Sequence, residues 1–302
     1  MSMIDLSNAR NVAAKAAETA GDLVRDKLFR NLAVHEKGLT GDVVTDLDLA
    51  AEKTIIKIIQ TQFPGHRIIS EEIGEIHGQG AWTWLIDPLD GTNNVVVGLP
   101  VFSIGITLCH KDAAVASVVH DPVSRRTWSA IRGEGAWNTG GDRMNLPRAH
   151  DRHKPVLAWI QGYSVSSNDQ RARALKLVLA NGARRVLDLW APLTCWMMLA
   201  RGDIDGIVGY RIGELDLHGG ALIASEAGLT VQSFSGRPFE LRLHGTGEDQ
   251  CVIAGSPTAV KELGDMLASA DRLADPIAHA VSPELAGTAR RARHRVNPDS
   301  DV

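Results

Sequence analysis

With 302 residues, 44% of them apolar and 23% charged, the chain has the composition of a folded globular protein large enough for one big domain or two packed lobes. A net charge of −4 argues against nucleic acid as the main partner, because phosphate backbones favour basic surfaces. The longest apolar run, residues 95–108, is interrupted by Gly, Pro, Ser and Thr and falls short of a membrane span, so no membrane partner is expected.

In chain order, residues 7–30 are predicted to form an amphipathic helix carrying Val12, Ala16, Ala20, Leu23, Val24 and Leu28 on one face. The N-terminus shows no basic segment leading into an apolar stretch, so no secretory signal is expected. A second helix is predicted from about Thr45 to Gln62 and ends at Pro64. From Arg67 to Trp137 the pattern changes to short β-rich runs separated by turn residues, which suits an antiparallel sheet. After residue 150, strands and helices alternate: strands at 156–160, 185–189, 206–209, 229–232 and 251–254, helices at 168–180, 191–201 and 217–227. That alternation predicts an α/β half. Three segments follow: 1–150 as an N-terminal half, 151–268 as a C-terminal half, and 269–302 as a solvated, mobile tail closing on a basic run near Arg290. Cys109, Cys195 and Cys251 are few and far apart, which reads as reduced core residues in a cytoplasmic protein.

The chemistry concentrates in four acid-bearing segments. An apolar run through Trp84, Leu85 and Ile86 ends in Asp87 and Asp90, followed at once by Gly91 and Thr92. Two carboxylates at a strand tip suit a hard cation, and free N–H groups after Asp90 suit phosphate oxygens. Asp42, Thr45 and Asp48 lead into the second helix, where Thr45 and Asp48 also fit a capping box. Glu71 and Glu72 follow a short strand; alone they read as a solvated turn. Glu214, Asp216 and His218 open the helix to Ala227, with Asp216 as its candidate N-cap.

Taken together and in this order, these segments resemble the inositol monophosphatase family, a branch of the lithium-sensitive, magnesium-dependent phosphatases. Trp84, Ile86, Asp87, Pro88, Asp90, Gly91, Thr92 and Asn94 match its central motif, Asp42 to Asp48 and Glu71-Glu72 match earlier ones, and Asp216 with Glu226, Ala227 and Gly228 match the last. The resemblance covers roughly residues 8–268 and implies an α/β fold of layered αβαβα type, a homodimer, and two Mg²⁺ ions with a weaker third. In the implied arrangement Glu71, Asp87 and the Leu89 carbonyl hold one ion, while Asp87, Asp90 and Asp216 hold the second. Gly91 and Thr92 bind phosphate, and Asp42, Asp48 and Thr92 form a supporting hydrogen-bond cluster. Lys37 stands where the family often has a loop lysine. Glu71 and Thr92 orient the attacking water, with Asp48 polarising the Thr92 hydroxyl.

The departures lie on the substrate side. Trp190, Ala191 and Pro192 replace a run of small residues, His218 replaces an alanine, and Tyr210 or Gly209 stands where inositol-specific members carry an acid, with Arg211 and Glu214 nearby. The expected substrate wall is therefore Trp190, Ala191, Arg211, Glu214 and His218. The expected reaction is Mg²⁺-dependent hydrolysis of a small phosphomonoester of a sugar, cyclitol or related alcohol. Histidinol phosphate and a nucleotide 3′-phosphate are alternatives, because Trp190 offers a stacking face. A catalytically weak binder of phosphorylated ligands is the alternative from another class.

Overall fold

The protein is described by a computed structural model covering residues 4–28, 33–37, 42–147, 154–243 and 250–280. Helix α1 (Leu6–Lys27) is capped by Asp5 and buries a stripe of small residues, Ala9, Ala13, Ala16, Ala17, Ala20 and Gly21. Such a stripe lets the helix lie close on a sheet: a Cβ on Gly21 would stand 2.6 Å from the His120 ring. A two-stranded antiparallel hairpin follows, β1 (Val34–Lys37) with β2 (Asp42–Thr45). Thr45 then caps α2 (Asp46–Gln62) through the capping box anticipated with Asp48. The inner face of α2 carries Leu47, Ala51, Ile55 and Ile59, all buried. Each large apolar side chain among them contributes roughly 1.5–3 kcal/mol by leaving water.

The main sheet is built from β3 (Arg67–Ser70), β4 (Gly74–Ile76), β5 (Trp82–Asp90), β6 (Ser103–His110), β7 (Ala113–Asp121), β8 (Arg126–Ile131), β9 (Gly135–Trp137) and β10 (Arg143–Met144), with the short α3 (Thr92–Val96) after β5. Its strand order is β10-β9-β8-β7-β6-β5-β3-β4. All neighbours are antiparallel except β3 and β5, which run parallel, so the expected antiparallel sheet holds with one exception. The C-terminal half contains β11 (Val156–Gln161), α4 (Gln170–Gly182), β12 (Arg185–Leu187), α5 (Pro192–Arg201), β13 (Gly206–Tyr210), α6 (Glu214–Glu226), β14 (Thr230–Ser233), β15 (Val252–Gly255) and α7 (Pro257–Ala280). Its sheet has the order β12-β11-β13-β15-β14, and β12, β11 and β13 are parallel.

Three apolar clusters separate five layers. One lies between α1, α2 and the outer face of the large sheet, with Ile55, Trp84, Ile104 and Val118. The second fills the middle, where α5 and α6 lie between the sheets with Trp196, Leu217 and Ile223. The third packs α4 and α7 on the outer face of the small sheet through Leu175, Val208 and Leu263. Both faces of β5 are covered, which is why its sequence reads as a continuous apolar run rather than an alternating one.

The sequence reading requires two corrections. Helix α7 continues through Ala280, and Ala270 is fully buried, so the chain does not leave the fold at residue 269. The basic run near Arg290 lies outside the described residues. Helix α6 starts at Glu214 rather than at 217. Cys109, Cys195 and Cys251 are free and buried, as expected. Among the described residues no helix is long and apolar enough to cross a membrane.

Candidate active site

In a regular strand, residues three apart point to opposite faces. Asp87 and Asp90 nevertheless converge, because the pairing of β5 with β6 slips between them, at the step occupied by Pro88 and Leu89. Proline has no N–H to give to a ladder, so the bulge falls where the sequence places it. Asp216 completes the group from the first turn of α6, and carboxylate oxygens of the three acids lie within 4.8 Å of one another. The N-cap of that helix is Gly213, so Asp216 is not the cap; its carboxylate is left for the cluster.

Burial raises the pKa of all three acids. Asp87 and Asp216 are held well above the usual carboxylate range, first by burial and then by neighbouring negative charge. Asp90 is raised to about 7 by burial, against the opposing pull of hydrogen bonds from Ser103 and the backbone of Thr194 and Leu193. Its two oxygens are used differently. Oδ2 accepts from Ser103 Oγ at 2.8 Å and from Thr194 N–H at 3.2 Å, while Oδ1 is buried with no hydrogen-bond partner. An orphaned carboxylate oxygen beside two other acids costs free energy unless a cation meets it. The donor set, oxygen only and anionic, fits Mg²⁺.

Gly91 follows immediately with φ 101°, in the left-handed region, and it caps α3. A side chain there would strike Val101 O at 2.8 Å and crowd Ala191 Cβ at 3.1 Å, so only glycine closes this turn. The first N–H groups of α3 lie outside the helix's own ladder and are left as donors to an anion.

Around the cluster stands a buried polar frame. Asp48, raised by burial, accepts from Thr45 N–H at 2.8 Å, Thr45 Oγ1 at 2.6 Å and Thr92 Oγ1 at 2.6 Å. Thr92 Oγ1 also lies 2.9 Å from Leu89 O. Asp42 is not part of this network: its carboxylate accepts from its own neighbour, Val43 N–H, and Thr45 takes the place expected for it. Lys37, at the end of β1 opposite Asp42, sets its ammonium 2.9 Å from Glu71 Oε1 and also binds Glu72. Burial raises the pKa of Glu71 despite this pairing, and lifts that of Glu72 to about 7. The Glu71-Glu72 turn is held from below by Glu52, whose Oε1 accepts from Ser70 Oγ, from Glu72 N–H at 3.0 Å and from Ile73 N–H at 3.1 Å.

On the substrate side the expected wall divides. Trp190 follows β12, Tyr163 follows β11 and Arg211 follows β13, so all three stand beyond the carboxyl ends of neighbouring parallel strands. That is where open α/β sheets bind ligands. Trp190 is 57% exposed and adopts φ 48°, a conformation that costs a bulky residue on the order of 1–3 kcal/mol. Arg211, also left-handed at φ 51°, lies 3.7 Å from Asp169 and over the Tyr210 ring. Glu214 and His218 point elsewhere. Two residues along a helix turn about 200°, which puts both on the face of α6 opposite Asp216. They line a cavity of about 600 Å³ with Arg237, Phe239 and Arg242. His218 is buried, stacks on Phe239 at 6.0 Å and is pushed down to about 4 by burial, so it does not reach a leaving group at the acid cluster.

Comparison with known proteins agrees with this geometry. Residues 5–271 match the family model described as the inositol monophosphatase family. The chain belongs to the inositol monophosphatase family. Among relatives, it is 33% identical to a protein named Nus factor SuhB of Escherichia coli over 258 residues, covering 84% of this chain and 93% of that one. A protein of the same name from Pasteurella multocida is 32% identical over 267 residues, with the same coverage. Among solved structures, an extragenic suppressor protein suhB of Bartonella henselae superposes with a TM-score of 0.77 at 26% identity, covering 86% of this chain and 98% of that one. A Thermotoga maritima IMPase superposes at 0.74 and 26% identity, covering 89% and 99%.

Three residues of the site escaped the sequence reading. Glu52 sits one turn after Asp48 on the buried face of α2, and an acid at i+4 from a site acid on an apolar face was the available signal. Ser103 opens β6 and had none. Tyr163, whose hydroxyl accepts from Asn93 Nδ2 at 3.0 Å, is a lone aromatic after a strand and carries no motif.

Proposed function

We propose that this family member hydrolyses a small phosphomonoester with Mg²⁺ and a water molecule as nucleophile. The observation that supports it most is the divided role of Asp90, a member of the cluster with Asp87 and Asp216: one oxygen is tied down by Ser103 and Thr194 and the other is buried without a partner. Asp87, Asp90, Asp216, Glu71 and the Leu89 carbonyl would hold the ions. Bound Mg²⁺ supplies positive charge to a phosphate dianion and lowers the pKa of a nearby water. The chain's own groups do the remaining work. Thr92 has one hydroxyl proton and directs it to Asp48 or Leu89 O, which leaves its oxygen lone pairs to accept a hydrogen bond from the attacking water. Glu71 would take the one proton that this water loses, once Lys37 releases its carboxylate. The first turn of α3, opened by Gly91, receives the phosphate oxygens. Because the ester's alcohol then faces Tyr163 and Trp190, substrate choice falls to that side.

Phosphate release from a panel of phosphomonoesters, measured with Mg²⁺ and with EDTA, tests the reading. Release that requires Mg²⁺, and that Li⁺ inhibits at matched ionic strength, is expected; no release from any ester would overturn it. The name Nus factor carried by the relatives favours a second reading, in which the chain acts as a protein partner and catalysis is weak. The same panel separates the two. The first reading also expects a cytoplasmic homodimer, checked for its mass by light scattering.

A further inference from the structure

Trp190 is hard to account for as a structural residue. It is exposed, so it fills no core, and its left-handed backbone disfavours any bulky side chain. Its position is nonetheless fixed on both sides. Asn94 Nδ2 donates to Leu189 O, Ala191 touches the Gly91 turn, and Thr194 N–H holds Asp90. The ring is thus carried by a segment anchored to the phosphate turn before and after it. Across from it, Tyr163 is half-exposed and anchored to the same turn through Asn93. Since its hydroxyl accepts there, its own proton remains available to a ligand. Both aromatics line one narrow cleft of about 60 Å³, together with Ala191, Cys195, Gln161 and Asp188. Two aromatic faces favour a flat ligand, and an amide with a carboxylate at the edge offers both a donor and an acceptor to ring nitrogens.

Resting on the phosphomonoesterase reading, we infer that Tyr163 and Trp190 form an aromatic clamp that selects phosphomonoesters whose alcohol carries a planar nitrogen heterocycle. The phosphate sits on the Gly91-Thr92 turn, the heterocycle lies against the two rings, and Gln161 and Asp188 meet its edge. A cyclitol, puckered and without a π face, gains nothing from either ring. Asp188 also faces Lys176 at 3.4 Å, an exposed pair that leaves the carboxylate accessible from the cleft.

The test compares kcat/KM for adenosine 3′-phosphate and histidinol phosphate with that for glycerol 2-phosphate and inositol 1-phosphate. The wild-type protein should favour at least one heterocyclic ester over both others by about tenfold or more, the scale of one stacked ring. Trp190→Gly and Tyr163→Leu should each collapse that ratio, and Trp190→Phe should restore most of it. The purine and imidazole arms tell which heterocycle the clamp holds. A ratio near one in the wild type, or one unchanged in Trp190→Gly, overturns the clamp. If no ester is hydrolysed, the phosphomonoesterase reading fails, and calorimetry with the same four compounds decides the clamp separately. Adenosine 3′-phosphate or histidinol phosphate should then bind about tenfold tighter to wild type than to Trp190→Gly, with glycerol 2-phosphate showing no such difference; equal loss for all would overturn it.

Discussion

The acid cluster and the aromatic pair are tied together through the turn at Gly91 and its neighbours Asn93 and Asn94, and they are built by opposite means. Asp48, Asp87 and Asp90 are buried and meet hydrogen bonds: Asp48 and Asp90 are held by Thr45, Thr92, Ser103 and Thr194 from other elements, and Asp87 by the Leu89 N–H of its own bulge. Trp190 and Tyr163 are largely exposed, and their places are set by backbone and side-chain anchors rather than by packing around the rings. A phosphate is the same in every substrate and rewards a rigid receiver, whereas the alcohol varies and is met by side chains that can be exchanged at little cost to the fold.

If that contrast is right, the largest effect comes from the cluster. Asp90→Asn removes one charge from a group that must hold cations against a dianion, and turnover should fall on the order of a thousandfold, equivalent to several kcal/mol of transition-state stabilisation. Without metal, the variant's melting temperature should match or exceed that of wild type, because the three clustered acids repel one another less. Near-normal turnover in a folded Asp90→Asn protein would break the comparison.

Glu52→Ala asks whether the frame matters as much as the ligands. It strips acceptors from Ser70 Oγ and from the N–H groups of Glu72 and Ile73, and each unmet donor costs about 1–3 kcal/mol. A loss of roughly 2–4 kcal/mol in urea unfolding is expected, with Mg²⁺ affinity weakened by about 10–100-fold. Unchanged affinity would assign Glu52 to folding alone.

How much of this was readable in advance follows from how local each signal is. Asp87, Pro88, Asp90 and Gly91 lie within five positions, and their chemistry needs only a strand, a bulge and a turn. The capping box of Thr45 and Asp48 is equally local. Ser103 and Thr194 act across distances in sequence that no spacing rule spans, whereas Glu52, four residues after Asp48 on the same buried helix face, lay within reach of one. The failure at His218 and Glu214 is a matter of helix phase: their proximity to Asp216 in sequence suggested a shared site, yet the turn of the helix carries them to its far side. Past Ser269 the apolar density thins, and α7 continues because Ala270 still meets the third core.

A smaller effect should sharpen the same point about His218. Burial depresses it from 6.5 to about 4, so the folded protein refuses a proton that the unfolded chain accepts. The contribution to stability is full above pH 6.5 and is lost as pH falls toward 4. Between pH 7 and pH 5 this group should cost about 2 kcal/mol, at 1.36 kcal/mol per unit. His218→Gln, read by urea unfolding at both pH values, should lose less stability than wild type over that step; equal losses would mean that the imidazole is not buried as a neutral group.

The central claim, that Asp87, Asp90 and Asp216 form a cation site, is tested most directly by calorimetric titration of Mg²⁺ into the wild-type protein and into Asp90→Asn, both verified as folded. The account predicts saturable Mg²⁺ binding in the wild type and a large loss of affinity in the variant. Equal binding by the two proteins, or none by the wild type, would contradict it.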